Sequence, residues 1–196
     1  MHSFGGSLGV HSPETRTLAR YPLVIWFTGF DWFAPVHSEE SSRLLSYLDQ
    51  GGRLMLSSQS FMMVHGGDRL TDVLGVRLGN WVHEPTEAAG VTDHPAGGGW
   101  GPVDLDYAYQ NWSYTVEPKP DAEPVIRGQL GQPIAVAART SDADRLPQSL
   151  FYAFPLETLP DRTRAEVIER GIGWLSPLGE SAWSIAPRDA EPGDSL

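Results

Sequence analysis

Cysteine is absent from all 196 residues, which removes disulfides, thiolate metal ligands, redox switches and thiolate nucleophiles together. Positive charge is scarce as well. Lys and Arg number 14 against 25 Asp and Glu, a formal net charge of −11 at pH 7, and an excess of that size repels phosphate at long range. Nucleic acid and anionic membrane surfaces are poor partners for such a chain, whereas neutral or cationic ones fit. No apolar run reaches the roughly eighteen residues of a membrane span. The amino end lacks the basic-then-apolar order of a signal peptide, and a chain without cysteine suits the cytoplasm and an exported bacterial protein equally. Composition therefore leaves the compartment open; were a longer parent protein extracellular, its signal would lie upstream. There are no internal repeats, and the glycine-rich stretches GGDRL and GGGWG lack the lysine or helix context of a phosphate loop.

What is present describes an ordinary globular domain, 40% hydrophobic and 20% charged, long enough to bury one core. The most informative stretch is 21–61. Leu23 to Phe27 is a short β-branched and aromatic run, closed by Thr28-Gly29, as expected of a buried strand. Ser38 offers an N-cap oxygen, Glu39 and Glu40 put negative charge in a first turn, and Leu44, Leu45 and Leu48 recur at helical spacing. Gly51-Gly52 then ends the helix, where a left-handed cap suits glycine. A second strand follows over Arg53 to Ser57. A right-handed crossover makes the two strands parallel and puts Thr28–Asp31 and Ser57–Ser60 on one edge, the edge at which open α/β sheets bind ligands.

The runs VIWFTG, YLDQGGRLMLSSQSF, LTDVLGV, FPLE and a helix ending GWL resemble, over roughly residues 17–176, the class I glutamine amidotransferase-like domains, of the non-catalytic type appended to secreted peptidases and surface proteins. The resemblance implies an α/β, flavodoxin-like fold: a mainly parallel central sheet, helices on both faces and an antiparallel extension. The domain is expected at 21–176; where the family opens with a first strand, residues 1–20 read as an irregular lead-in, and the composition of 177–196 reads as a Pro- and acid-rich tail. Catalytic members pair a cysteine on the strand-to-helix turn with a histidine in His-Pro-Glu. Here those places read Ser57-Ser58-Gln59-Ser60-Phe61 and Phe154-Pro155-Leu156-Glu157, so the thiolate mechanism is excluded. The missing first strand leaves a sheet edge to be exposed or completed by a second subunit or another domain of a longer chain. The implied function is an accessory or interaction module.

A hydrolase of esters or phosphoesters is the alternative, in either of two arrangements. His65 could act as a base toward Ser58 or Ser60 with Asp31 orienting it. Otherwise a metal-bound water could attack, held by His83, Asp93 and His94, since imidazole and carboxylate suit zinc or manganese. The spacing matches no known metal motif, and such pairs also serve as turn formers. Residues 96–121 have no clear period and carry Trp100, Tyr107, Tyr109, Trp112 and Tyr114, either a stacking platform for a glycan, peptide or small ester or a cover for a sheet face. Trp32 and Gln59 join Trp100, Tyr107 and Trp112 as candidate ligand-edge residues. Asp104 and Asp106, one carboxylate every second residue, could contribute to a calcium site. Further strands are expected at Val76–His83, Pro124–Arg127, Ile134–Ala138 and Leu150–Phe154, an exposed loop at Thr140–Arg145, and a last helix from Asp161 to about Leu175.

Overall fold

A computed structural model describes residues 12–79, 84–140 and 146–176. The expected lead-in up to residue 11, the end of the strand expected at Val76–His83, most of the loop at Thr140–Arg145 and the tail at 177–196 lie outside the described residues.

The strand–helix–strand unit forms, but its first strand, expected to be buried, is the terminal strand of the sheet, with Ile25 and Phe27 exposed. β1 (Leu23–Phe27) and β2 (Arg53–Ser57) pair in parallel, Leu23 opposite Arg53 and Phe27 opposite Ser57. Between them α2 (Ser38–Asp49) buries Leu44, Tyr47 and Leu48. Its N-cap is His37 rather than Ser38, because the His37 N–H donates to Glu40 Oε2 at 2.7 Å and the carboxylate closes the first turn. The chain leaves α2 through Gly51 at φ +83, as the glycine pair requires. The hydroxyl of Tyr47 then fixes α2 to the strands, accepting from Arg53 N at 3.1 Å and lying 3.0 Å from the carbonyl oxygen of Tyr21. A short helix, α1 (Thr15–Leu18), precedes β1 and buries Leu18.

After β2 come the single-turn helices α3 (Phe61–His65) and α4 (Arg69–Val73), then β3 (Val76–Leu78), β4 (Glu87–Gly90), β5 (Val103–Asp104) and β6 (Val116–Pro118). β7 (Ala122–Gly128), β8 (Pro133–Arg139) and β9 (Pro147–Tyr152) form an antiparallel meander, and α5 (Asp161–Leu175) closes the fold. The main sheet runs β1-β2-β9-β8-β7-β4-β5, with β3 and β6 paired separately.

This corrects the expected fold class. Among the described residues only β1–β2 and β2–β9 are parallel; β9–β8, β8–β7, β7–β4 and β4–β5 are antiparallel. The sheet is mixed and curled, with few helices, and is not a mainly parallel flavodoxin-like sheet. The physical reason lies in β8. Its run Ile134–Ala138 is buried throughout, because an apolar cluster lies on either side of the sheet. One cluster holds Leu44, Leu48, Phe61, Val136 and Phe151, the other Met55, Ile134, Ala137, Leu150 and Val167. A continuous apolar run reports burial on both faces, and here antiparallel strands meet that condition. Each fully buried Leu or Phe in these clusters contributes on the order of 2 kcal/mol, so the sheet centre is where the stability is concentrated.

Candidate functional site

Parallel pairing of β1, β2 and β9 brings three strand ends together. Thr28 N donates to Ser57 O at 3.1 Å and Ser58 N to Tyr152 O at 3.0 Å. Ser57 Oγ, fully buried, donates to Phe154 O and accepts from Leu156 N, both at 3.0 Å. The hydroxyl of Ser58 is also buried, accepting from Thr28 Oγ1 at 2.9 Å and donating to Gln59 O at 3.1 Å. Ser60 takes the left-handed conformation, φ 56, at the start of α3, and its N–H donates to Trp112 O at 3.1 Å. The three serines knit the edge together from within.

The proposed serine arrangement is not assembled. His65 is buried and stacks on Phe61, with Nδ1 2.8 Å from Asp68 Oδ2 and Nε2 2.7 Å from Val36 O. Both ring nitrogens face these oxygens, and neither bonds to Ser58 or Ser60. Asp31 Oδ1 accepts from Phe33 N at 3.0 Å and Ala34 N at 3.2 Å, so it holds its own turn rather than orienting a histidine.

The metal candidates that the structure describes are likewise not grouped. His83 lies outside the described residues. His94 is buried, its Nδ1 accepts from Ala96 N at 3.1 Å, and its Nε2 has no hydrogen-bond partner, with Glu123 Oε2 3.7 Å away. Burial lowers its pKa from the ordinary imidazole value; Glu123 opposes this and Arg139 adds to it. Asp93 is exposed in the turn before it. Asp104 is exposed on β5 opposite Glu87, and Asp106, also exposed, donates its N–H to Thr158 O at 2.9 Å. Among the described residues no three of His, Asp and Glu are grouped to hold a metal ion.

What does converge at the edge is aromatic. Trp32 stacks on Trp112 with ring centroids 5.5 Å apart and planes 22° from parallel. Phe33 meets Trp32 edge-on at 5.8 Å, and Phe30 meets Tyr109 edge-on at 5.4 Å. Beneath them the fully buried Gln59 joins both segments, donating to Phe30 O at 2.6 Å and accepting from Trp112 N at 3.2 Å. The rings stand out from that base, with Trp32 53%, Tyr109 70% and Phe33 78% exposed. Apolar side chains exposed side by side in this way are unusual on a surface that only meets water.

Of the ligand-edge candidates, Trp32, Gln59 and Trp112 come together here. Trp100 and Tyr107 do not: both pack against the cluster around Met55 and Ile134, and the Tyr107 hydroxyl donates to Ser113 Oγ at 3.2 Å, with burial pushing its pKa up to about 12. Phe30 and Phe33 join the site from Gly29-Phe30-Asp31-Trp32-Phe33, a loop whose aromatic content, unusual for a strand end, marks it in the sequence as a candidate wall of the ligand edge.

No protein-family model and no curated protein matches the chain. Among solved structures it is similar to the cytoplasmic protein STM3548 from Salmonella typhimurium, with a TM-score of 0.59 at 15% identity over 84% of this chain and 76% of that one. It is also similar to the mmIFT52 N-terminal domain, with a TM-score of 0.53 at 16% identity over 83% and 80%. At such identities the likeness is one of fold alone. Together with the mixed, curled sheet, these neighbours overturn the resemblance to class I glutamine amidotransferase-like domains. That resemblance rests on a strand–helix–strand unit and short loop motifs, which other sheets share. No helix among the described residues is long and apolar enough to cross a membrane.

Proposed function

We infer that this chain is an interaction module that binds a protein segment through the aromatic cluster at the carboxyl edge of β1 and β2. The observation carrying this reading is the solvent-facing group of Trp32, Phe33 and Tyr109 on a buried base clamped by Gln59. Large rings held on a rigid support lose little freedom on binding and dominate the energetics of protein interfaces.

The surrounding groups favour a protein over a glycan. Beside the rings the amide of Asn111 is committed, donating to Pro85 O and accepting from Ser113 N, and the groups left open are carboxylates, which suit a cationic side chain. Exposed carboxylates of Asp31 and Glu157 lie at the same edge, the latter 3.7 Å from where a Cβ on Gly29 would stand. With a net charge of −11, the preferred ligand is an apolar segment with Lys or Arg beside its anchors, whose cations can also lie over the indole faces.

A random-peptide display library panned against the purified protein tests this. The expected result is a set of peptides combining aromatic or aliphatic with basic residues, whose binding weakens about tenfold or more in Trp32→Ala and Tyr109→Ala. Peptides that bind both variants as tightly as the native chain would overturn it. So would an oligosaccharide panel giving saturable, Trp32-dependent fluorescence quenching, which would favour a glycan.

A further inference from the structure

β1 is the terminal strand of the sheet, and its outer side pairs with no strand among the described residues. The direction of its free groups follows from one bond. Thr28 N donates inward to Ser57 O, and main-chain groups alternate along a strand, so Val24 and Trp26 turn theirs toward β2 while Leu23, Ile25 and Phe27 turn theirs away. The same three residues share one face, on which Ile25 is 39% and Phe27 44% exposed. Edge strands are ordinarily blunted by an inward-pointing charge, a proline or a bulge. The run Leu23-Val24-Ile25-Trp26-Phe27 has none of these, and its pairing with β2 has no register shift.

We propose that this edge is the interface with a second copy of the chain, β1 pairing antiparallel with β1 about a two-fold axis at Ile25. This register is self-complementary, as a two-fold contact must be. Ile25 faces its counterpart, and Leu23 faces Phe27 of the other copy. These are the residues with outward main-chain groups, so each exchanges both of its bonds with its opposite. On one face Ile25 meets Ile25 and Phe27 meets Leu23, which covers the exposed apolar strip; on the other Val24 meets Trp26.

Charge selects the antiparallel sense. The amino end of β1 carries Arg20 just before it and Arg53 in register with Leu23, whereas Asp31 and Glu157 lie at its carboxyl end. Antiparallel pairing sets the basic end of each copy against the acidic end of the other, and parallel pairing would set like against like. The axis also places the two aromatic clusters at opposite ends of the joined strands, so a dimer would offer two separated docking sites. The interface does not rest on the peptide-binding reading.

Five residues a side make a small interface, so the dimer is a weak one, with a dissociation constant on the order of 10 μM. Sedimentation velocity on the intact chain between about 1 and 500 μM is the test, with amide hydrogen exchange at both extremes. The expected result is a monomer–dimer transition in which the Ile25 and Phe27 amides gain protection with concentration. Ile25→Lys, which keeps its far-ultraviolet circular dichroism because the site is half open, should remain monomeric at the highest concentration. Phe27→Arg is a second variant of the same kind. A sedimentation coefficient that does not change with concentration overturns the proposal, as do amides protected equally in the dilute monomer, which would mean that the chain covers its own edge. A dimer that survives Ile25→Lys and Phe27→Arg but is lost in Trp32→Ala also overturns it, by moving the contact to the aromatic cluster.

Discussion

Trp32 and Trp112 lie in stacked contact, ring centroids 5.5 Å apart, although one follows β1 and the other belongs to the long segment between β5 and β6. Such a stack is worth about 0.5–1.5 kcal/mol beyond the area it buries. A double-mutant cycle with Trp32→Ala and Trp112→Ala in urea unfolding should therefore return a coupling of about 1 kcal/mol. Trp32→Ala alone should be mild, since more than half of that side chain already faces solvent. A coupling near zero would mean that the rings are neighbours without holding the two segments together.

Gln59 should matter more to stability than either ring. Its amide is fully buried and answers one carbonyl and one N–H from different segments. Gln59→Leu keeps much of the volume and strands Phe30 O and Trp112 N, at a cost of about 2–3 kcal/mol. Peptide binding at the aromatic cluster should fall with it, because the rings lose their fixed base. Guanidinium unfolding and the peptide titration of the same variant check both halves.

The sequence made some of this visible and hid the rest for physical reasons. The β1–α2–β2 unit could be read because helical spacing of Leu44 and Leu48 is bounded by acidic residues at one end and Gly51-Gly52 at the other. The last helix, Asp161–Leu175, could be read on similar grounds. Strand direction could not be read from Ile134–Ala138, since burial on both faces erases the alternation that marks many antiparallel strands. The antiparallel pairing of β3 with β6 joins segments separated by β4 and β5, and nothing local announces it. At the edge, a loop dense in aromatics drew attention to Trp32, whereas the engagement of His65 with Val36 and Asp68 depends on packing. Ser, His and Asp are common enough that a triad drawn from sequence order alone needs this three-dimensional check.

Tyr47 ties stability to alkaline pH. Burial pushes its hydroxyl from the ordinary 10.0 up to about 12, against a smaller lowering by Arg53. The folded state then holds a proton that the unfolded chain releases near pH 10, so stability is complete below that value and declines as pH rises toward about 12. Tyr107, raised to about 12, acts in the same direction. Tyr47→Phe should cost about 1–3 kcal/mol at neutral pH, by leaving Arg53 N and Tyr21 O unpaired. It should also reduce the loss of stability above pH 10. Urea midpoints measured from pH 8 upward separate the two effects.

His94 sets the opposite limit. Its imidazole is held below the ordinary 6.5 chiefly by burial, with Glu123 working against the shift and Arg139 with it. The ring packs against Trp174 at 5.5 Å, and Arg139 lies over the other ring at 5.3 Å, so the groups around it are Glu123, Trp174 and Arg139. Because the folded value is depressed, the unfolded chain takes up the proton first. The stability contributed by the neutral buried ring is complete above about 6.5 and is lost as pH falls through the lower folded value. Nδ1 accepts from Ala96 N, a bond that an asparagine oxygen can reproduce across the same two-residue turn. His94→Asn should therefore fold at neutral pH and flatten the fall in stability between about pH 6.5 and 5, before most carboxylates titrate. Thermal unfolding midpoints across that interval provide the measurement. An unchanged slope in His94→Asn would mean that the ring already protonates freely in the folded state, with Glu123 outweighing burial.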